Sequence, residues 1–304
     1  MTRLAPLVLS GAPRSGTTLI YTLFDSHPDI LWLISEGYVF EYLHDIGAKN
    51  ADIFLRAARG SPERFVEGLR DREMMPSLHL PYRQDEGTMS KMEVAIPWSE
   101  ERFWASLRAR GTIAPDSMSG LWQILAQAYA AGLGEKKNAR YACLKSPDYA
   151  KSAVAAVESI PDARAIVIVR DPMKTLDSLK RSRDLRGAKR LTWSRFAGVL
   201  ADLNAMADRV AGADPARLRW FRYEALVRDP GRIMRELAEW LGVAFSNSLL
   251  EPTILGKPWP GHSSFAPTEG VSTAPLDRAV STLDAAERAF VHDGLARFRA
   301  VFGE

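Results

Sequence analysis

The sequence predicts an α/β fold: a P-loop-containing parallel β-sheet flanked by helices, with a helical insertion covering the site. First, apolar runs suited to buried strands alternate with helical patterns near both ends of the 304-residue chain. Second, a glycine-bracketed loop, Gly11–Gly16, separates the first apolar run from the first helical pattern. Third, a mostly helical stretch, residues 41–135, interrupts the alternation. We therefore expect a single domain, 1–304, into which residues 41–135 are inserted.

The first strand–loop–helix unit lies at the N-terminal end. Residues 4–10 form an apolar run that predicts a strand. A helix is predicted over residues 17–26, because Pro28 cannot continue it. Residues 30–34 are all apolar and suit a second, fully buried strand. Glu36 follows at the carboxyl end of that strand.

The insertion, residues 41–135, differs from its flanks. Its pattern is mostly helical, and it carries several proline and glycine breaks and several aromatic residues. We expect it to form a helical cover over the carboxyl edge of the sheet. A cover over a cleft usually carries specificity, so we expect this segment to determine which second ligand the site accepts.

The strand–helix alternation returns after residue 135 and predicts further parallel strands with their crossover helices. The strongest of the apolar runs is Ala-Arg-Ala-Ile-Val-Ile-Val, which ends directly before Arg170. The predicted strands are 140–144, 163–169 and 217–223, and the predicted helices are 150–159, one from Met173, and 231–241.

Composition excludes several classes of function. The net charge of +3 is too small to indicate nucleic-acid binding, and no basic block with interleaved aromatics occurs. No apolar stretch reaches the ~18–20 residues of a membrane span. The single cysteine, Cys143, lies in an apolar run and is predicted to be a buried core thiol. A cytoplasmic, reducing location fits this cysteine usage, and no zinc-like cysteine or histidine spacing is present.

The glycine-bracketed loop predicts an anion site. Gly11 and Gly16 occupy the two glycine positions of a phosphate-binding P-loop, and Thr18 occupies its Ser/Thr position. The lysine position holds Thr17, while Arg14 supplies a guanidinium suited to phosphate or sulfate oxygens. Ser15, Thr17 and Thr18 add hydroxyl donors.

Two other phosphate-binding classes fit the loop less well. A P-loop kinase or nucleoside triphosphatase needs the lysine that Thr17 replaces. A dinucleotide-binding motif needs a middle glycine that the stretch Gly11–Gly16 lacks.

Charged side chains follow several predicted strands. Glu36, Lys145 and Arg170 each lie at or just after a strand end. Because ligands of open parallel sheets bind beyond the carboxyl ends of the strands, we expect these residues to share one site with the loop. Ser178 lies about two helical turns after Arg170, and both side chains could reach a second phosphate.

Four segments together resemble the sulfotransferases that use 3′-phosphoadenosine-5′-phosphosulfate (PAPS), in particular bacterial members related to the tyrosylprotein and Golgi-type enzymes. Residues 13–19, Pro-Arg-Ser-Gly-Thr-Thr-Leu, resemble their 5′-phosphosulfate loop, and the spacing from Arg170 to Ser178 resembles their 3′-phosphate motif. Residues 220–243 resemble a later strand–helix unit, and residues 260–265 resemble a loop that closes on the cofactor.

This resemblance implies PAPS as the cofactor, with adenosine 3′,5′-bisphosphate as its product, and no requirement for a metal. The residues implied in binding PAPS are Pro13, Arg14, Ser15, Gly16, Thr17, Thr18, Arg170, Ser178, Tyr223 and Ser264. Arg181 or Arg183 is expected to assist at the 3′-phosphate, and the sequence does not choose between them.

The resemblance also implies catalytic roles. Glu36 is expected to be the general base that takes the proton of an acceptor hydroxyl or amine. Arg14 and Lys145 are expected to stabilise charge on the leaving oxygen in an in-line displacement. Glu41, His44 and His79 remain alternative bases.

Two other functions stay open from the sequence: a non-catalytic nucleotide-binding protein of the same fold, and a P-loop kinase. The acceptor also stays open, as a small molecule, a glycan or a peptide. No nucleic-acid partner and no membrane span are expected, and the oligomeric state is not predicted.

Overall fold

A computed structural model gives the fold. It describes residues 3–36, 99–111, 117–134, 139–184, 191–259, 261 and 270–303, with side chains omitted for residues 34–36, 100, 110 and 111. Most of the predicted cover, including Glu41, His44 and His79, lies outside the described residues, as does Ser264.

A five-stranded sheet forms the centre of the described structure, and every neighbouring pair of strands is parallel. The strand order is β2-β3-β1-β4-β5, so β1 lies in the middle of the sheet. The strands are β1 (Ala5–Gly11), β2 (Ile30–Glu36), β3 (Tyr141–Ser146), β4 (Arg164–Val169) and β5 (Leu218–Arg222).

Helices connect and flank these strands, and a short hairpin follows them. The helices are α1 (Thr17–Leu23), α2 (Glu100–Gly111), α3 (Met118–Leu133), α4 (Lys151–Ser159), α5 (Pro172–Asp184), α6 (Trp193–Gly212), α7 (Tyr223–Arg228), α8 (Pro230–Leu241), α9 (Ala274–Asp277), α10 (Ala285–Asp293) and α11 (Ala296–Phe302). The antiparallel hairpin pairs β6 (Thr253–Ile254) with β7 (Lys257–Pro258).

Both faces of the sheet are covered, which explains why the strands β1, β3 and β4 are mostly apolar. Successive side chains of a strand point to opposite faces. Leu7 and Leu9 of β1 accordingly pack with α1 and α8, while Val8 packs with α3, α4 and α6 on the other face. The described part of the chain is thus a three-layer arrangement, and ligands of such sheets bind beyond the carboxyl ends of the strands.

The predicted strands are confirmed, with boundaries that differ by up to two residues. The helix predicted over 17–26 ends earlier, at Leu23. The Phe24 amide donates a hydrogen bond to the Tyr21 carbonyl, which closes the last turn of the helix. Cys143 is buried in β3, as predicted. Helix α6 is not among the predicted elements. In the part of the chain that the structure describes, no helix is long and apolar enough to cross a membrane.

Candidate functional site

A cavity of about 290 Å³ lies at the carboxyl edge of the sheet. Its walls come from the loop after β1, the end of β3, the start of α5 and the segment 270–280. The described residues lining it are Pro13, Arg14, Gly16, Thr17, Thr18, Leu19, Lys145, Pro147, Arg170, Lys174, Asp177, Ser178, Arg181, Tyr223, Trp259, Gly261, Gly270, Ser272, Ala274, Pro275, Arg278 and Val280.

The loop between β1 and α1 has a backbone that most residues cannot adopt. Gly16 lies in the left-handed region (φ 102°), and a methyl group built on it would collide with the ring of Tyr223. Arg14 also has a positive φ, 74°, which is uncommon for a residue with a side chain. Its carbonyl accepts a hydrogen bond from Arg170 Nη1 (3.0 Å), so the strained turn is held from β4.

Four predicted residues meet at or beside this turn. Arg14 Nε donates to Ser178 Oγ (3.2 Å), which joins the loop to α5. The Arg170 guanidinium stacks on Tyr223, with its central carbon 4.6 Å from the ring centroid. Burial lowers the pKa of Arg170, while Tyr223 and Glu224 act in the opposite direction. Arg170 Nε is buried without a hydrogen-bond partner, so one donor of this group is available to a ligand.

Lys145 approaches the loop from β3. It is only 6% exposed, and its Nζ donates to Thr18 Oγ1 (3.2 Å). Glu36, the last residue of β2, is the register partner of Lys145 in the neighbouring strand. Five residues of β2, from Trp32 to Glu36, lie opposite three of β3, from Cys143 to Lys145, so an irregularity in the ladder sets this register. The predicted base and the predicted lysine therefore occupy adjacent backbone positions at the edge of the sheet.

The charges around the cavity favour an anionic ligand. Asp177 is the acidic residue among its described lining residues, and it already accepts a hydrogen bond from Arg181 Nη2 (2.8 Å). Basic side chains exceed it in number, which raises the local concentration of anions. They are Arg14, Lys145, Arg170, Lys174, Arg181 and Arg278.

The cavity brings together most of the residues that the sequence predicts. Pro13, Arg14, Gly16, Thr17, Thr18, Lys145, Arg170, Ser178 and Tyr223 all line it. Ser15 does not: its side chain is 1% exposed and lies beneath the loop. Arg181 lines the cavity and Arg183 does not. The roles of all these residues remain predictions.

Several lining residues are not among the predicted ones, and three of these are large or charged: Lys174, Trp259 and Arg278. Lys174 lies one turn before Ser178 on α5, a spacing that the sequence could have indicated. Trp259 follows the β6–β7 hairpin, which Asp25 fixes by accepting hydrogen bonds from Thr253 Oγ1 and the Gly256 amide (2.8 Å each). These hydrogen bonds join residues more than 220 positions apart, so no local sequence pattern predicts them.

The donor set suits phosphate or sulfate groups. Guanidinium groups bind phosphate oxygens in a planar fork, and Lys145 adds a point charge. Arg170 Nε is buried without a hydrogen-bond partner, and a bound anion would accept the hydrogen bond that this donor lacks. Among the described residues, no group of three or more histidine, cysteine, aspartate or glutamate side chains could hold a metal ion.

Comparisons with known proteins agree with the fold of the described residues. The model of the sulfotransferase family matches residues 6–247. A solved sulfotransferase domain from the olefin synthase of Synechococcus PCC 7002 has a TM-score of 0.54 at 17% identity, covering 98% of this chain and 96% of that chain. The sulfotransferase domain from the curacin biosynthetic pathway gives 0.50 at 17% identity, with coverages of 96% and 98%. No curated protein sequence matches significantly.

Proposed function

The chain belongs to the sulfotransferase family, and from that premise we propose that it transfers a sulfuryl group from PAPS to a hydroxyl or amine of an acceptor. The observation that carries the proposal is the cation-lined cavity at the carboxyl edge of the sheet, where Arg14, Lys145 and Arg170 meet beside the glycine-bracketed loop. The acceptor is a small molecule, a glycan or a peptide.

In this proposal the two phosphate-bearing ends of PAPS have separate binding residues. Arg14, Lys145 and the loop hold the 5′-phosphosulfate, and Arg170 with Ser178 holds the 3′-phosphate. The contact between Arg14 and Ser178 supports this arrangement, because it places the two sets side by side. When bound, PAPS supplies an activated sulfuryl group, so no metal is required.

The chain's own contribution to the displacement is a base and a set of charges. Glu36 accepts the proton of the attacking acceptor. Arg14 and Lys145 stabilise the negative charge that develops on the leaving phosphate oxygen; such stabilisers contribute ~10²–10³-fold each. The register of Glu36 beside Lys145 supports the assignment, since it brings base and stabiliser to one edge.

Replacing Glu36 by Gln tests the base. We expect kcat to fall by ~10²–10⁴-fold, because a general base contributes that much, while the affinity for adenosine 3′,5′-bisphosphate stays within a few-fold. Glu158→Gln, at an exposed position of α4, is the matched control and should leave both unchanged. A Glu36→Gln enzyme with normal kcat would transfer the role to Glu41, His44 or His79.

The cofactor class is tested without knowing the acceptor. Thermal stabilisation by adenosine 3′,5′-bisphosphate is compared with that by ADP and ATP, each with and without magnesium. A ligand at ~100 times its Kd stabilises the fold by ~2.7 kcal/mol, which such an experiment detects readily. We expect magnesium-independent preference for the 3′,5′-bisphosphate. Preference for magnesium–ATP would overturn the proposal in favour of a kinase.

A further inference from the structure

The segment from Ser146 to Ala150 connects β3 to α4 beside the cavity, and one buried carboxyl group holds it. Asp148 is 4% exposed. Its Oδ2 accepts a hydrogen bond from the Ser152 amide (2.9 Å) at the start of α4. Its Oδ1 lies 2.7 Å from Ser10 Oγ, on the residue before the glycine-bracketed loop.

Ser10 Oγ has more close partners than an ionised Asp148 allows. It lies 2.7 Å from Asp148 Oδ1, 2.7 Å from the Ser146 carbonyl and 3.1 Å from the Ala150 amide. A hydroxyl has one proton and two acceptor lone pairs. The Ala150 amide can only donate and the Ser146 carbonyl can only accept. If Asp148 is a carboxylate, two acceptors compete for one hydroxyl proton, and one contact of 2.7 Å has no proton in it.

A protonated Asp148 satisfies every contact. Its Oδ1–H donates to Ser10 Oγ, the Ser10 hydroxyl donates to the Ser146 carbonyl, and the Ala150 amide donates to Ser10 Oγ. Both oxygen–oxygen distances equal the usual O–H···O value of ~2.7–2.8 Å. We propose that Asp148 is a neutral carboxylic acid in the folded protein, and that it is a positioning residue that fixes the segment 146–150 against the end of β1.

The surroundings of Asp148 agree with a neutral group. Burial raises the pKa of this carboxyl, and only hydrogen bonds from serine side chains and backbone amides oppose that effect. No charged side chain is among the causes that shift the pKa of Asp148. The charged side chains on the adjoining elements are Lys145 of β3, Lys151 and Glu158 of α4, and Arg195, Asp202, Asp208 and Arg209 of α6. Arg209 Nη1 donates to the Tyr149 carbonyl (3.1 Å), which neighbours Asp148 in the chain.

The segment needs such a fastening because its backbone is strained. Tyr149 and Ala150 both have positive φ values, 59° and 67°, and neither is a glycine. Residues in this region persist only where surrounding contacts hold them. The Tyr149 amide donates to the Gly11 carbonyl (3.1 Å), and Asp148 supplies the neighbouring attachment. Lys145 and Pro147 are thereby set against the loop without a negative charge being placed beside an anion site.

The test substitutes asparagine at two buried aspartates. The side-chain amide of Asp148→Asn can donate to Ser10 and accept from Ser152 as the neutral acid does, so this variant should fold and be at least as stable as the wild type at neutral pH. Asp177→Asn is the matched control. Asp177 is also 4% exposed, but it accepts from Arg181, the Ser281 amide and Thr282, so every partner is a donor. An amide nitrogen there must face a donor, and the variant should be destabilised.

The pH dependence distinguishes the two aspartates further. A raised pKa means that stability from the bound proton is complete below the unfolded value of ~3.9 and is lost as pH rises through the folded value. The unfolding constant of the wild type relative to Asp148→Asn should therefore rise by up to about tenfold per pH unit between the unfolded and the folded pKa, and should level off above the folded pKa. At Asp177 burial acts to raise the pKa, but its hydrogen bonds outweigh burial and the pKa is lowered. The stability that the ionised Asp177 contributes to the fold is therefore lost only as pH falls below the unfolded pKa of ~3.9.

Thermal unfolding of the three proteins across pH decides the question. The proposal is supported if the thermal stability of the wild type falls relative to that of Asp148→Asn as pH rises. A variant that does not fold, or one that is destabilised by the same amount at every pH, overturns it. In the wild type, infrared spectra at neutral pH should show the carbonyl stretch of a protonated side-chain carboxyl that persists in Asp177→Asn. Absence of that band also overturns the proposal.

The pH dependence of nucleotide affinity tests whether Asp148 positions the site, and this measurement rests on the proposed function. The affinity of the wild type for adenosine 3′,5′-bisphosphate should fall as pH rises through the Asp148 titration, and that of Asp148→Asn should not. If the wild type binds no 3′,5′-bisphosphate at any pH, the proposed function fails while the stability measurements still judge Asp148. If both proteins lose affinity in parallel, Asp148 does not position the site.

Discussion

At the scale of single residues, Gly16 shows how closely the loop and the rest of the site are fitted. Its φ of 102° suits a residue without a Cβ, and the space where a Cβ would stand is filled by the Tyr223 ring. Tyr223 in turn carries the Arg170 guanidinium on its face. A change at Gly16 would therefore displace Tyr223 and Arg170, two residues assigned to the nucleotide.

We predict that Gly16→Ala costs about 1–3 kcal/mol of stability, the usual cost of a strained backbone conformation, and that it abolishes stabilisation by adenosine 3′,5′-bisphosphate. Gly198→Ala is the control: Gly198 lies within α6 with nothing near its would-be Cβ. There alanine should stabilise the fold by about 0.5–1 kcal/mol. Urea unfolding with and without nucleotide measures both. A Gly16→Ala protein that binds normally would contradict the assignment of Tyr223 and Arg170.

At the scale of elements, the strands could be predicted from sequence and the partners of the C-terminal segment could not. The strands β1, β3 and β4 are buried on both faces, so each is a mostly apolar run that can be found without tertiary information. The edge strand β5 differs, because Arg219 and Trp220 in it are exposed. Helix α6 also carries its own signal, since Phe196, Leu200, Leu203 and Ala207 repeat at helical spacing and are buried. This apolar repeat is sufficient to predict α6 from the sequence alone.

The position of the segment 270–282 has a different origin. Asp177 of α5 accepts hydrogen bonds from the Ser281 and Thr282 amides, and Lys174 Nζ donates to the Leu276 carbonyl. These contacts join residues about a hundred positions apart and involve backbone groups, which carry no sequence signature. Arg278 reaches the cavity only because this segment is fastened to α5, so the sequence could not assign it.

The attachment of α10 to α5 gives a prediction at this scale. Lys180 and Glu287 form an ion pair (2.7 Å) whose side chains are only 17% and 11% exposed. Glu287 also accepts from the Asp284 amide in a capping box. A glutamine can keep the capping contact and removes the charge, so Glu287→Gln should cost about 1–3 kcal/mol, the value of a charged hydrogen bond.

The matched control for that substitution is Glu236→Gln. Glu236 pairs with Arg232 at 2.9 Å, but the two side chains are 52% and 53% exposed. An exposed pair of this kind contributes ~0–1 kcal/mol. In equilibrium urea unfolding, Glu287→Gln should therefore lose more free energy of unfolding than Glu236→Gln. Equal losses would mean that Lys180 and Glu287 do not fasten α10 to α5.

At the scale of the whole molecule, the cavity depends on parts of the chain that are distant in sequence. Its loop comes from the first twenty residues, while Arg278 and Val280 come from the last thirty. The match to the sulfotransferase family ends at residue 247. The residues beyond it nevertheless line the cavity and contribute to the core, so we expect the matched part alone to be an incomplete folding unit.

This dependence predicts the outcome of a truncation after residue 269. It removes Leu283, Val291, Leu295, Phe298 and Phe302, all at most 4% exposed. Each such side chain contributes about 1.5–3 kcal/mol by burial, and the sum is comparable to the ~5–15 kcal/mol that holds a typical domain folded. The truncated chain should therefore show no cooperative thermal transition.

A chain ending at Phe302 is the control for the truncation. It retains the Phe302 carbonyl, which accepts from Arg222 Nη2 (2.9 Å) at the edge strand β5, and it should unfold like the full chain. If the chain ending at residue 269 instead unfolds cooperatively and is still stabilised by adenosine 3′,5′-bisphosphate, the C-terminal helices are an addition to a complete sulfotransferase fold. In that case Arg14, Lys145 and Arg170 suffice to hold the nucleotide without Arg278.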